Sequence, residues 1–151
     1  MSATRRPITI LYADDDPDDR MLARDALAES RLANRLEMVE DGTELLAYLH
    51  REGRFADPAL SPRPGLILLD LNMPRMDGRE ALEQIKTDPD LRRIPVVIMT
   101  TSNAETDIVR SYDLGAASYV VKPLTFDGLV SILRDLGRYW FEVVALPEED
   151  G

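Results

Sequence analysis

The stretch Gly65-Leu66-Ile67-Leu68-Leu69-Asp70 constrains this chain more than any other. It is a short, continuous apolar run, led by glycine and closed by Asn72, Pro74 and Met76-Asp77-Gly78. Such a run predicts a strand buried on both faces, and strands of that kind belong to parallel sheets covered by helices on each side. Asp70 then stands at the carboxyl end of a central strand, where open α/β sheets place their chemistry.

The remaining segments fit the same plan. Ile8 to Ala13 reads as a first buried strand that stops on Asp14-Asp15-Asp16. Asp16-Pro17-Asp18-Asp19 has the form of a helix start, with an N-cap, a proline at the first helical position and acids at the positive end of the dipole. Leu22, Ala23, Ala26 and Leu27 supply the apolar stripe of that helix. A second strand is expected over Leu36–Val39, then a turn at Asp41-Gly42 and a helix from Thr43. Gly53–Pro64, with its prolines and weak periodicity, reads as a surface loop. A third helix from about Asp77, a strand over Pro95–Thr100, a helix over Ala104–Leu114 and a strand over Ser118–Lys122 follow. The last helix is expected from Thr125 to beyond Trp140. Strict alternation of strands and helices predicts an α/β fold: a doubly wound, five-stranded parallel sheet, with order 2-1-3-4-5 the leading topology. The expected divisions are an N-terminal arm over 1–7, the main domain over 8–138 and a C-terminal extension over 139–151.

Composition narrows the partners. The 151 residues carry 28 acids against 18 Lys and Arg, a net charge of −10, which argues against nucleic acid as the direct partner. There is no cysteine, so disulfides and thiolate metal sites are excluded and a reducing cytoplasm is the expected compartment. The apolar run near the N-terminus is too short for a signal peptide or a membrane span.

The predicted topology gathers Asp14, Asp15, Asp70, Thr100 and Lys122 around one crevice. Three neighbouring carboxylates repel one another, and a hard divalent cation such as Mg²⁺, which takes oxygen ligands, is their natural complement. A metal there would also neutralise a phosphoryl group passing to Asp70. Lys122 can supply a compact positive charge to that group and Thr100 a hydroxyl.

These residues, with Leu69-Asp70-Leu71-Asn72-Met73-Pro74-Arg75-Met76-Asp77-Gly78, Thr100-Thr101-Ser102 and Lys122-Pro123, resemble the receiver domain of two-component response regulators over about residues 8 to 138. The resemblance implies a flavodoxin-like receiver with an extended C-terminal helix, and a single-domain response regulator taking a phosphoryl group from a histidine kinase on Asp70. It implies Mg²⁺ on Asp15, Asp70 and the Asn72 backbone carbonyl, with Asp14 acting through water. Of the two possible acid pairs, Asp14–Asp15 and Asp15–Asp16, the first is preferred because Ala13 ends the apolar run and Asp16 suits the N-cap. The resemblance further implies that Thr100 and Lys122 grip phosphoryl oxygens, that Thr100 and Tyr119 form the switch, and that the Lys122–Pro123 peptide is cis. The fourth helix, fifth strand and fifth helix would report the state to a partner. The loop Arg54–Pro64, the segments Thr100–Glu105 and Ser111–Gly115, and the tail Tyr139–Pro147 resemble stand-alone response regulators paired with bacterial and cyanobacterial phytochromes, which makes a phytochrome-type sensor kinase the expected partner.

Blander readings compete at several positions. Helix capping and a solvated face account for Asp16, Asp18 and Asp19, and Tyr119 fits plain core packing as well as a switch. Phe126, Leu129, Val130, Leu133 and Trp140 share the core face of the last helix. Ile132, Leu136, Tyr139 and Val143 widen the apolar arc past the ~100° stripe of a surface helix, which predicts a homodimer or partner face. Other functions are a receiver-like interaction module that is never phosphorylated, an aspartyl-phosphate phosphotransferase and a flavin- or nucleotide-binding module. The phosphotransferase would carry a second acid where Asn72 stands. The nucleotide module would need a phosphate-cradling loop where Asp14-Asp15-Asp16 stand.

Overall fold

The computed structural model describes residues 8–30 and 34–143, with side chains up to Trp140. The elements run β1 (Ile10–Ala13), α1 (Pro17–Glu29), β2 (Leu36–Val39), α2 (Gly42–Leu49), a 3₁₀ turn at Gly53–Phe55, β3 (Leu66–Leu69), α3 (Gly78–Thr87), β4 (Val96–Thr100), α4 (Glu105–Asp113), β5 (Ser118–Val121) and α5 (Phe126–Gly137). All neighbouring strands pair in parallel in the order β2-β1-β3-β4-β5, the doubly wound arrangement expected from the sequence.

Alternation along each strand divides the core into two layers. Leu11, Ala13, Ile67, Leu69, Val96 and Ile98 face one side and pack with Leu45, Leu49, Ala81, Leu82 and Ile85 of α2 and α3. Ile10, Tyr12, Leu66, Leu68, Val97 and Met99 face the other and meet Ala23, Ala26 and Leu27 of α1 and Val130, Leu133 and Trp140 near the C-terminus. β1, β3 and β4 are buried throughout, which explains why their sequences carry no polar alternation.

Local chemistry fixes where the helices begin. The Asp16 carboxylate caps α1 by accepting from the Asp18 and Asp19 amides, Asp41 caps α2 and Asp77 caps α3, each through a side-chain oxygen. Gly78 is required at the start of α3, because a β-carbon there would lie 2.1 Å from the Asp70 carbonyl oxygen. This close approach seats the first turn of α3 directly against the end of β3.

The structure departs from the expectations in a few places. Leu22 belongs to the predicted stripe of α1 yet is 42% exposed; Ala23, Ala26 and Leu27 suffice to face the sheet. The last helix is not one continuous α-helix: α5 ends at Gly137 and the chain continues as a π-helical segment over Arg138–Val143. Phe126, placed on its core face by the wheel, is an exposed residue at the first position of α5. The loop after α2 contains an ordered 3₁₀ turn, and Tyr48 reaches into it, its hydroxyl donating to the Pro62 carbonyl at 2.7 Å. The expected arm over 1–7, residues 144–151 of the extension and the Val143 side chain lie outside what is described.

Candidate functional site

Strand register brings the site together. Ala13 pairs with Leu69, so Asp14 and Asp70 leave adjacent strands side by side, and the Asp70 amide donates to the Ala13 carbonyl at 3.0 Å. Thr100 pairs with Val121, and the Lys122 amide donates to the Thr100 carbonyl at 2.7 Å. Asp14, Asp70 and Thr100 are buried, while Asp15 is exposed at the mouth. One oxygen from each of Asp14, Asp15 and Asp70 lies within 4.8 Å of the others. Asp16 stands outside this group and serves as the cap of α1.

Lys122 occupies the centre of the charge. Its Nζ donates to Asp14 Oδ2 at 2.5 Å, to Asp70 Oδ2 at 2.9 Å and to Asp19 Oδ2 at 2.9 Å. Burial opposes the ammonium form, but the hydrogen bonds and charges of Asp14 and Asp70 outweigh it and hold the lysine above its ordinary pKa. The sequence alone reads Asp19 as part of a capped, solvated helix face. The structure corrects this, because the first turn of α1 carries Asp19 over the crevice to within reach of the lysine.

The remaining contacts set each acid in place. Asp70 Oδ1 accepts from the Asn72 amide at 3.2 Å. Asp14 Oδ1 accepts from the Asp16 amide at 3.0 Å, Oδ2 from the Tyr12 hydroxyl at 2.6 Å, and the Asp14 carbonyl from Arg20 Nη1 at 2.7 Å. Burial, then the charge and hydrogen bond of Asp14, push the Tyr12 phenol far above its usual range, so it remains a donor. The Thr100 Oγ1 is buried and has no hydrogen-bond partner among the described residues, a polar atom in want of an acceptor or donor. The Lys122–Pro123 peptide is trans, contrary to the expected cis bond; the two forms of an X–Pro bond differ little in energy, and here the carboxylates aim the lysine.

Two peripheral pairings frame the crevice. Arg75, at a left-handed φ of 64°, donates through Nε to the buried Asp41 at 2.7 Å, tying the loop after β3 to the start of α2. Arg79 of α3 donates to Asp107 Oδ1 at 2.7 Å, and Ser102 Oγ donates to Asp107 Oδ2 at 2.7 Å. Tyr119 is half-buried against the α2–α3 core layer, and its hydroxyl donates to the Ser102 carbonyl at 2.8 Å. Sequence reasoning missed both pairings, since each joins residues 28 or more positions apart with no local signature. The Tyr12–Asp14 bond did carry a signal, because residues two apart on a strand share a face.

A doubly wound sheet with an acid triad, a threonine and a lysine at its carboxyl edge is the arrangement of a receiver domain, and this chain belongs to the response regulator receiver domain family, whose model matches residues 10–134. Among particular relatives, Response regulator Rcp1 of Synechocystis sp. is 40% identical over 141 residues, covering 93% of this chain and 94% of that protein. The crystal structure of the phosphorylated cyanobacterial phytochrome response regulator RcpA is 41% identical, with a TM-score of 0.87 over 95% of this chain and 100% of that one. The crystal structure of the Mn²⁺-bound form of Rcp1 is 40% identical, with a TM-score of 0.83 over 94% of this chain and 100% of that one.

On the C-terminal face, Leu136 packs on the α1 side of the core and Ile132 is half-buried, while Tyr139 is 53% exposed with its ring edge-on to Trp140. Among the described residues no helix is long and apolar enough to cross a membrane.

Proposed function

We propose that this chain is a phospho-accepting switch of a two-component system, with Asp70 as acceptor and a phytochrome-type sensor histidine kinase as donor. The observation that carries the reading is the Asp70 carboxylate itself: one oxygen is held by Lys122 and the other by the Asn72 amide, while the buried Thr100 hydroxyl at the same sheet edge has no partner among the described residues. A carboxylate oxygen would form the bond to phosphorus as the phosphohistidine P–N bond breaks. Lys122, already on Asp70 Oδ2, is placed to follow the phosphoryl oxygens, and Thr100 to supply a hydrogen bond to them. Asp14, Asp15, Asp70 and the Asn72 carbonyl suit Mg²⁺, an oxygen-seeking cation that would supply positive charge against the transferring group. The phosphorylated state of RcpA and the Mn²⁺ in Rcp1 support this assignment by similarity.

The output is contact with another protein. Thr100 would move toward the phosphoryl group, and Tyr119, tied through its hydroxyl to the β4–α4 loop, would follow. The α4–β5–α5 face then reports the state, and the exposed Tyr139 with Ile132, Leu136 and Val143 forms a homodimer face. Nucleic acid and membrane play no part in this reading, and its setting is the cytoplasm.

Incubation of wild type and Asp70→Asn with a small phosphodonor and Mg²⁺ tests the acceptor by intact mass. Wild type should gain one phosphate and the variant none; equal gain in both removes Asp70 from the role. No gain in wild type would favour an unphosphorylated interaction module. Sedimentation of the same samples tests the dimer, and a monomeric mass throughout would remove that part.

A further inference from the structure

We propose that the Tyr12 hydroxyl is a positioning group for Asp14, holding this carboxylate in place when Lys122 turns from it to a phosphoryl group on Asp70. The inference rests on the phospho-acceptor reading above.

A tyrosine in the middle of a two-sided buried strand needs a reason, because its hydroxyl must find a partner where an aliphatic side chain would need none. Tyr12 is 1% exposed and packs with Ala23, Leu68 and Met99, and its hydroxyl donates to Asp14 Oδ2 at 2.6 Å. That oxygen also receives Lys122 Nζ. Asp14 is 0% exposed, and its other oxygen is taken by the Asp16 amide.

Lys122 has no donor to spare, because the three N–H bonds of its ammonium meet three carboxylates. A phosphoryl group on Asp70 would add oxygens of higher charge. When the lysine follows that charge, Asp14 Oδ2 loses one of its two donors. The phenol stays, because it is fixed by packing and not by electrostatics. Tyr12 therefore matters little while Lys122 sits on Asp14 and most once Lys122 has left. The carboxylate would otherwise keep a buried oxygen without a donor, which is costlier than losing one of two.

Tyr12→Phe removes the oxygen and keeps the ring. Two affinities are measured by calorimetry on the full chain: Mg²⁺ alone, and beryllofluoride, a phosphoryl mimic, at saturating Mg²⁺. The Mg²⁺ affinity should change little and the beryllofluoride affinity should fall about tenfold, the effect of one hydrogen bond to a buried charge. Tyr12→Met, which also lacks a donor, should show the same split if the phenylalanine variant folds poorly. Met99→Leu, a volume-conserving change in the same layer with the hydroxyl retained, should leave the ratio of the two affinities as in wild type. Equal losses in both affinities, or none, would overturn the role of Tyr12 while leaving the acceptor reading intact. A wild type that binds neither Mg²⁺ nor beryllofluoride would overturn both.

Discussion

The starts of α3 and α4 flank the same crevice but are held by different physics. α3 opens on Asp77, whose carboxylate accepts the Glu80 amide, and it buries Gly78, Ala81, Leu82 and Ile85 against the sheet. α4 opens on Ala104, which makes no side-chain cap, and buries Ser111 alone among its described residues, with Val109 and Tyr112 exposed. What restrains the start of α4 is polar and near the surface: Ser102 and Arg79 both donate to Asp107. Segments with few buried apolar contacts open at lower free energy than those built into the core. The fold thus keeps the end of β3, where Asp70 must be placed accurately, on its firm side. The element that would have to respond lies on the loose one.

The strongest challenge to this contrast is Gly78→Ala. Its β-carbon would fall on the Asp70 carbonyl oxygen, so α3 must shift or β3 must bend. A loss of about 3 kcal/mol is expected in urea unfolding, at the upper end of typical overpacking. A loss well under 1 kcal/mol would mean that the α3 side yields easily, and the contrast would fail.

The same contrast explains what could be read in the sequence. The sheet was legible because β1, β3 and β4 are uninterrupted apolar runs, and each is closed by a polar residue at the same edge. Asp16-Pro17 and Asp77-Gly78 marked α1 and α3 because capping is a local signal. The convergence of Asp14, Asp15, Asp70 and Lys122 was legible because topology alone brings strand ends together. What stayed hidden was pairing across the crevice. Asp19 looks like any acid in a first helical turn until the fold brings that turn to Lys122, just past the end of β5, and Arg79–Asp107 joins two helices whose relative angle no motif encodes. The extent of the last helix was legible in an apolar stripe that continues through Trp140, but the widening of the backbone to π-helical spacing after Gly137 was not.

A milder substitution sharpens the contrast from the other side. Ala104 already has the extended backbone of an N-cap, so Ala104→Ser can offer a side-chain acceptor to the first turn of α4 without rearrangement. The expected gain is about 1 kcal/mol in unfolding free energy. Hydrogen exchange should slow in α4 and stay the same in α3. If the gain is absent, the start of α4 is already as well satisfied as that of α3.

The smallest effect concerns the polar tether itself. The Ser102 hydrogen bond, followed by the Arg79 contacts, holds the Asp107 carboxyl below its ordinary pKa. A carboxyl with a depressed folded value binds its proton more weakly in the folded than in the unfolded chain. Its contribution to stability is therefore complete above the unfolded value of about 4 and is lost as pH falls through the folded value. Wild type should exceed Asp107→Asn in unfolding free energy near neutral pH by under about 1 kcal/mol, the range of partly exposed ion pairs. That gap should close on acidification below about pH 4. A gap that persists undiminished at low pH would show that Asp107 holds α4 by shape and not by charge. The loose side of the crevice would then be restrained by packing, as the firm side is.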